Sequence, residues 1–251
     1  MSNSVQERKV ECRWLGLLDY QEGLGVQAEV FHQVNTGFSD IVLGMICKPV
    51  ITLGRSTKLA SVQIGSAARS LSVPIVQTDR GGQITFHDPS QLVIYPVLNL
   101  RKRAFGVREW VKLILQSTER VLKQMGADVW VDYEKMGVFC REGKIASLGI
   151  RISHGISTHG LAIQVSPPPE WSHHLNLCSM GSFTDGGVRL VGIDELIPSK
   201  ENMSANTNLM AKHSLACADV VTNLDHSVAS LNRKKSIFEI WIRDFGDRQA
   251  L

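Results

Sequence analysis

A cysteine and a lysine offer the most reactive chemistry in this sequence. Cys178 lies in residues 176–181, a run of small and polar residues that is typical of a loop. A free thiol has a pKa near ~8.5, so only a few per cent is thiolate at neutral pH, and a nearby ammonium group favours the thiolate. Lys144 opens the apolar run 144–150, a strand pattern that would carry its ammonium to one end of a sheet. The two residues predict a nucleophilic thiol assisted by a lysine.

The same residues also have structural interpretations. Cys178 could be a buried cysteine, and Lys144 could be a solvated lysine at a strand edge. His159 precedes a glycine and an apolar strand, so the N–H groups that follow could stabilise an oxyanion, but a turn histidine fits equally well. The histidines and cysteines lack the close C-x-x-C or H-x-x-x-H spacing of a zinc site, so we expect no metal.

Residues 80–89 combine an arginine and two adjacent glycines with a polar–apolar alternation that reaches a histidine. The glycines lack Cβ atoms, so other groups can approach the main chain closely. The alternation predicts a strand over 84–87, Asp88-Pro89-Ser90 predicts a turn, and 92–95 predicts a second strand. Such a hairpin would form the floor of a pocket.

Other elements that would position these residues follow from periodicity. Apolar residues at helical spacing predict helices over 20–35 and 107–125, and a weaker one over 59–71. Short apolar runs predict further strands, namely a hairpin of 41–46 with 50–53, a hairpin of 144–152 with 159–165, and single strands at 74–77, 130 and 138–139. Helices and strands alternate without a regular βαβ period, which favours an α+β fold.

Composition excludes several classes of protein. The contents of 43% hydrophobic and 20% charged residues are typical of a globular protein, and the net charge of +3 is too small to favour nucleic acid. Five scattered cysteines indicate a reducing compartment and not a disulfide framework. No apolar run reaches the roughly 18 residues of a membrane span, and the first 13 residues lack the apolar core of a secretion signal. We therefore expect a cytoplasmic protein.

The sequence changes character after Pro198. Residues 201–251 are rich in asparagine, serine and alanine, so we expect a catalytic domain over 1–200 and an extension of unknown role over 201–251. The apolar patch at 237–242 could be a docking strand or helix.

Together these segments resemble the lipoyl(octanoyl) transferase family. Residues 80–96 are similar to that family's signature, 144–149 to its second motif and 159–162 to its third, and Cys178 falls where the family places its acyl-carrying cysteine. The resemblance covers about residues 14–197. It implies the fold of the biotin and lipoate ligases, an α+β arrangement with a mixed β-sheet packed against helices.

The resemblance also implies an activity. An octanoyl group would move from the thioester of an acyl carrier protein to a lysine of a lipoyl domain, in lipoate biosynthesis, without ATP or another cofactor. The acceptors would be the lipoyl domains of 2-oxoacid dehydrogenases or the H protein of glycine cleavage. We expect a monomer that binds neither nucleic acid nor membrane.

In that family the cysteine carries the acyl group, so Cys178 would form the acyl-enzyme. Lys144 would lower its pKa and pass a proton to the leaving thiol. The motifs would line an acyl tunnel, whose expected residues are Arg80, Gly81, Gly82, Gln83, Ile84, Thr85, Phe86, His87, Ser147, Leu148, Gly149, His159, Gly160, Leu161 and Ala162.

The sequence departs from the family pattern at several positions. Leu177 and Ser179 flank Cys178 in place of a proline and a glycine. Gln164 stands where asparagine is usual, and Ser90 where glycine is usual.

Two other functions stay open. One is an ATP-dependent lipoate ligase, although such ligases usually carry a longer glycine run than the Gly81-Gly82 pair found here. The other is a catalytically reduced relative that binds acyl groups and carrier proteins.

Overall fold

Ten strands in two sheets form the frame of the described part of the chain. The structure, a computed structural model, describes residues 10–57, 72–169, 189–197 and 225–247. In chain order the strands are β1 (Glu11–Leu18), β2 (Ile41–Cys47), β3 (Val50–Leu53), β4 (Ile75–Gln77), β5 (Ile84–His87), β6 (Gln91–Val97), β7 (Trp130–Asp132), β8 (Gly137–Cys140), β9 (Gly143–Ser153) and β10 (Ile156–Gln164). Seven form one sheet in the order β1-β2-β6-β10-β9-β8-β7, and three form a second in the order β4-β3-β5. Parallel pairing of β1 with β2, in an otherwise antiparallel ladder, makes the larger sheet mixed.

Helices cover both faces of the larger sheet. They are α1 (Tyr20–Asn35), α2 (Val107–Gln124), the short α3 (Ile193–Leu196) and α4 (Asp225–Asp247). One core cluster lies between α1 and the sheet, and a larger one lies between the sheet and α2 with α4. This architecture confirms the predicted α+β fold. Among the described helices, none has the length and apolar character needed to cross a bilayer.

The two long predicted helices are confirmed, and each follows from its sequence. In α1 the buried positions Tyr20, Gly23, Gln27, Val30 and Val34 recur every three or four residues, so they share one face. The same spacing buries Trp110, Ile114, Val121 and Leu122 along α2. The helix predicted over 59–71 lies outside the described residues.

Two of the three predicted hairpins are wrong, because neighbouring strands join different sheets. β2 pairs with β1 and β6, whereas β3 pairs with β4 and β5. Likewise β5 stays with β3, while β6 enters the larger sheet between β2 and β10. All seven residues of β6 are buried, so its stability comes from distant strands that a local pattern does not show. The β9–β10 hairpin is confirmed, with its turn at His154-Gly155.

The last helix lies within the predicted extension. Ile237, Phe238, Trp241 and Phe245 of α4 are buried in the larger core cluster, and Trp241 Nε1 donates to Thr118 Oγ1 of α2 at 3.0 Å. The apolar patch at 237–242 therefore packs inside the fold as a helix. The boundary predicted at residue 200 lies outside the described residues and stays a prediction.

Candidate active site

Three sequence motifs meet where the loop of residues 80–83 lies across β9. The N–H of Gly81 donates to Ile150 O at 2.9 Å, which fixes the loop to the strand. A Cβ at Gly149 would lie 2.9 Å from Gly81 O, closer than real Cβ atoms come to backbone. Gly149 is in turn paired with Gly160 of β10. The glycine of the second motif therefore gives room to the backbone of the first.

Arg80 holds this loop in shape. Its side chain is buried and donates to Thr52 O at 3.0 Å, Thr52 Oγ1 at 2.8 Å, Gln83 O at 3.0 Å and Gly81 O at 2.9 Å. Charge-assisted hydrogen bonds of this kind are about twice as strong as neutral ones. Arg80 thus ties the loop to β3 of the smaller sheet.

A cavity of about 260 Å³ opens beside this loop. Twelve of the residues predicted to line an acyl tunnel do line it: Arg80, Gly82, Gln83, Thr85, His87, Ser147, Leu148, Gly149, His159, Gly160, Leu161 and Ala162. Lys144 lines it as well. The motifs of β5, β9 and β10 therefore form one site.

Three predicted lining residues do not reach the cavity. Side chains alternate along β5, so Thr85 and His87 face the cavity whereas Ile84 and Phe86 do not. Gly81 lies outside the lining, with its N–H used by Ile150.

Sequence reasoning missed five lining residues. They are Val93, Tyr95, Glu134, Lys135 and Met136. Val93 and Tyr95 alternate within a predicted strand, so that pattern could have indicated them. The turn that carries the other three has no motif that points to the site.

His87 is fixed by a chain of amide groups. Its ring stacks on Tyr20 at 5.8 Å between centroids, and Nδ1 lies 2.9 Å from Gln91 Oε1. The Gln91 amide nitrogen donates to Phe86 O at 3.1 Å and to Gln164 Oε1 at 3.0 Å, so the Gln91 amide oxygen faces His87 and accepts a hydrogen bond from the Nδ1–H group. Burial and the neighbouring Arg80 charge lower the pKa of His87 to about 4, so the ring is neutral at physiological pH.

Two departures from the family pattern touch each other in this chain. Gln164 Nε2 donates to Ser90 Oγ at 2.5 Å and to Ser166 O at 2.7 Å. Ser90 in turn donates to Asp88. The longer amide of Gln164 and the added hydroxyl of Ser90 therefore form one connection that reaches Gln91 and His87.

His159 breaks the side-chain alternation of its strand. Leu161 of β10 belongs to the core cluster on the α2 side, and two-residue alternation would put His159 on that same face. The backbone of His159 is instead left-handed, with φ of 54°, and its ring lies edge-on to Tyr95 of the α1-side cluster. Its N–H donates to Gln27 Oε1 of α1 at 2.6 Å. That N–H and the N–H of Gly81 are therefore not oxyanion donors.

Asp79 is the ionic neighbour of His159. His159 Nε2 lies 2.8 Å from Asp79 Oδ1, and Arg151 pairs with the other carboxylate oxygen. Burial lowers the pKa of His159, and the Asp79 carboxylate opposes this effect by favouring the charged ring.

Lys144 is a buried ammonium in the cavity wall. The residue is 3% exposed, Nζ donates to Lys135 O at 2.9 Å, and Nζ lies 5.4 Å from the centre of the Phe139 ring. Gly137 makes space for it, since a Cβ there would lie 2.4 Å from the Lys144 Cε atom. Cys178 lies outside the described residues.

Comparisons with known proteins agree with the family resemblance of the motifs. Residues 19–186 match the family described as lipoyl protein ligase A/B catalytic domain. The octanoyltransferase of Shewanella piezotolerans is 33% identical over 172 residues, which are 68% of this chain and 76% of the relative. The octanoyltransferase of Citrobacter koseri is 37% identical over 162 residues, which are 64% of this chain and 74% of the relative.

Solved structures share the fold at low identity. Lipoate-protein ligase A bound with ATP has a TM-score of 0.58 at 12% identity, over 96% of this chain and 99% of that one. A candidate lipoate protein ligase of Thermoplasma acidophilum with bound lipoic acid has a TM-score of 0.54 at 13% identity, over 92% and 95% of the two chains. Such identities establish a common fold and nothing more about this chain.

Proposed function

The chain belongs to the lipoyl protein ligase A/B catalytic family, and from that premise we propose that it moves octanoyl from an acyl carrier protein to a lysine of a lipoyl domain through Cys178. Its octanoyltransferase relatives make it an acyltransferase of lipoate biosynthesis that transfers octanoyl groups. The proposal adds the carrier-protein donor, the lipoyl-domain acceptor and the covalent intermediate.

The observation that carries the proposal is the buried ammonium of Lys144 in the wall of a largely apolar cavity. Leu148, Leu161 and Ala162 give that wall its apolar surface. Burying an alkyl chain there would gain roughly 0.8 kcal/mol per methylene. At this place an ammonium would stabilise a thiolate or an oxyanion formed during acyl transfer.

The proposed reaction has two steps. First, the Cys178 thiolate attacks the thioester carbonyl of the donor, the new C–S bond forms, and the carrier thiol leaves with a proton from Lys144. Second, the amine of the acceptor lysine attacks the Cys178 thioester, the C–N bond forms, the C–S bond breaks so that the Cys178 thiolate leaves, and the proton lost by the amine returns to Lys144. The thioester is already activated, so neither step needs ATP.

Octanoyl transfer to the protein itself tests this proposal. The chain is incubated with octanoyl-carrier protein in the absence of ATP and then weighed by intact-protein mass spectrometry. We expect a hydroxylamine-labile octanoyl adduct on Cys178, and its disappearance on addition of a lipoyl domain that becomes octanoylated. A Cys178→Ser variant should give no hydroxylamine-labile thioester.

Other outcomes would contradict the proposal in distinct ways. Octanoylation of the lipoyl domain without an adduct would remove the covalent step. An absolute requirement for ATP would favour a ligase. Binding of the octanoyl-carrier protein without transfer would favour a catalytically reduced relative.

A further inference from the structure

A row of paired residues crosses the larger sheet at the cavity. Each member is paired with the next on the neighbouring strand, in the order Gly137, Ser147, Ala162, Val93 and Met45. Residues that lie opposite each other on neighbouring strands point to the same face of a sheet. Ala162, Val93 and Met45 belong to the core cluster on the α1 side, so the row lies on that face. Ser147, Ala162 and Val93 line the cavity, and the row is therefore its floor.

The first position of this floor holds the Lys144 ammonium. A Cβ at Gly137 would lie 3.1 Å from Lys144 Nζ, so the ammonium fills the space that a side chain at Gly137 would need. The reactive end of the cavity is therefore at β8, where the row begins.

A β-bulge explains how Lys144 comes to face the cavity. Phe139 pairs with Lys144 and Val138 pairs with Ala146, so Ile145 is an extra residue in β9. Ile145 and Ala146 are both buried in the core cluster on the α2 side. Two consecutive residues thus face that core, and Lys144 lies on the same face of the sheet as Ser147.

The cavity closes toward the other end of the row. Ser147 is half-buried, Ala162 is 7% exposed and Val93 is 1% exposed. Glu134 and Lys135, which are both exposed, line the cavity beside Lys144, whose Nζ donates to Lys135 O. The mouth of the cavity is therefore next to Lys144, and its closed end is at Val93.

The length of the floor matches an octanoyl chain. Neighbouring strands are about 4.8 Å apart, so three spacings put Val93 about 14 Å from Gly137. A thioester carbonyl within reach of Lys144 Nζ takes up about one of these spacings and leaves about 9–10 Å. An extended octanoyl chain has seven C–C bonds that each advance about 1.25 Å, which makes about 9 Å in all. Its terminal methyl group would therefore meet Val93.

Tight packing behind Val93 leaves no space for a longer chain. Met45, the next residue of the row, is 1% exposed, and a Cβ at Gly23 of α1 would lie 2.7 Å from its Sδ atom. Tyr95, the next residue of β6 on the same face, is buried and also lines the cavity. The Val93 side chain is thus held between neighbours that are themselves buried.

We propose that Val93 sets the upper length of the acyl chain that this protein transfers, by closing the cavity against the terminal methyl group of an octanoyl chain. This inference rests on the proposed reaction of a thioester beside Lys144. Val93 then determines specificity and takes no part in the chemistry.

A Val93→Ala variant tests the inference. The substitution removes two carbon atoms from the closed end, and a decanoyl chain has two carbon atoms more than an octanoyl chain. The value of kcat/KM for transfer to the lipoyl domain is measured with hexanoyl-, octanoyl- and decanoyl-carrier protein as donors. The ratio of decanoyl to octanoyl should rise about tenfold in the variant, the factor expected for burying two further methylene groups.

A Val93→Ile variant tests the opposite direction. Isoleucine adds one carbon atom at the same place and is β-branched like valine, so it suits the strand equally well. The ratio of hexanoyl to octanoyl should rise about fourfold, the factor expected when one methylene group loses its place in the cavity.

Val97→Ala is the matched control. Val97 lies on the same strand and the same face as Val93 and is fully buried, but it does not line the cavity. The variant loses the same two carbon atoms, so its stability should fall. Its chain-length ratios should match the wild type, because a smaller fraction of folded protein lowers transfer from every donor equally.

Distinct results would overturn the two proposals. Wild-type ratios in both Val93 variants, or an equal change of ratio in Val97→Ala, would overturn the inference and leave the proposed function standing. If the wild type transfers no acyl group, the proposed function fails. The affinities of octanoate and decanoate, measured by isothermal titration calorimetry, then decide the inference. The ratio of decanoate to octanoate affinity should rise about tenfold in Val93→Ala, and an unchanged ratio, or no binding of either acid, would overturn it.

Discussion

His87, His159 and Lys144 are buried in one cavity wall, but each meets a different neighbour. An amide oxygen faces His87, a carboxylate faces His159, and a main-chain carbonyl accepts a hydrogen bond from Lys144. Burial disfavours the charged form of a histidine, so the pKa of both rings is lowered, and His159 alone of the two has an anion that opposes this effect. Similar burial therefore leaves the three side chains in different electrostatic surroundings.

The charge of Lys144 can be removed without emptying its site. In Lys144→Met the side chain keeps its length and apolar stem, so the slot beside Gly137 stays filled. If the ammonium stabilises the Cys178 thiolate, the pKa of that thiol rises in the variant, and each unit of rise lowers the thiolate fraction at neutral pH about tenfold. Alkylation rates of Cys178, located by mass spectrometry and followed against pH, measure the change.

Lys112→Met is the control for this change, because Lys112 is an exposed lysine of α2 that lines neither cavity. Its alkylation profile should match the wild type. An unchanged profile in Lys144→Met would remove Lys144 from activation of the thiol.

Among the elements, the loop of residues 80–83 depends on β9, which carries a glycine where the loop crosses it. A Cβ at Gly149 would lie 2.9 Å from Gly81 O of the loop. Close approach of backbone to backbone sets the position of the loop, and Arg80 then fixes its shape. The sheet and the loop therefore form the cavity together.

A single methyl group at Gly149 should disturb this contact. In Gly149→Ala the added Cβ meets Gly81 O at 2.9 Å, so the loop must shift or strain. We expect a loss of octanoyl transfer and a free energy of unfolding lower by about 1–3 kcal/mol, as is usual for overpacking. Kinetics of octanoyl transfer and urea denaturation measure the two effects.

Gly25→Ala is the matched control, because a Cβ at this position of α1 meets no atom within 4 Å. Alanine is the better helix former by about 0.5–1 kcal/mol, so this variant should be as stable as the wild type or more stable. Wild-type transfer by Gly149→Ala would show that the loop can move without consequence.

The sequence predicted which residues form helices and strands better than it predicted which strands pair with each other. Helical periodicity located α1 and α2, and alternation located the strand over 84–87. All four residues of that strand were predicted to line the tunnel, but only Thr85 and His87 line the cavity. The sheet change between β5 and β6 was not predictable, since it depends on pairing with strands up to about 70 residues away. The position of His159 was not predictable either, because a positive φ cancels the alternation on which such predictions rest.

At the scale of the whole molecule, a helix beyond the family match, α4, is part of the core. The match ends at residue 186, yet α4 buries four large side chains against α2 and the sheet. Arg120 of α2 binds Asp244 of α4 through two nitrogens, at 2.8 and 3.0 Å, and a Cβ at Gly44 of β2 would lie 2.7 Å from the ring of Phe238. Composition alone suggested an appendage here, because only a short apolar patch interrupts a polar segment.

Trp241 is the side chain on which this packing depends most directly. It is fully buried, stacks on Phe245 at 4.7 Å between ring centroids, and donates from Nε1 to Thr118 Oγ1. Trp241→Ala should lower the free energy of unfolding by about 3–5 kcal/mol, because it leaves a cavity and removes a buried hydrogen bond. Glu239→Ala, at an exposed position of the same helix, should change it by no more than about 0.5 kcal/mol. Urea denaturation of both variants gives the comparison, and similar midpoints for the two would mean that α4 is an appendage whose loss the catalytic fold tolerates.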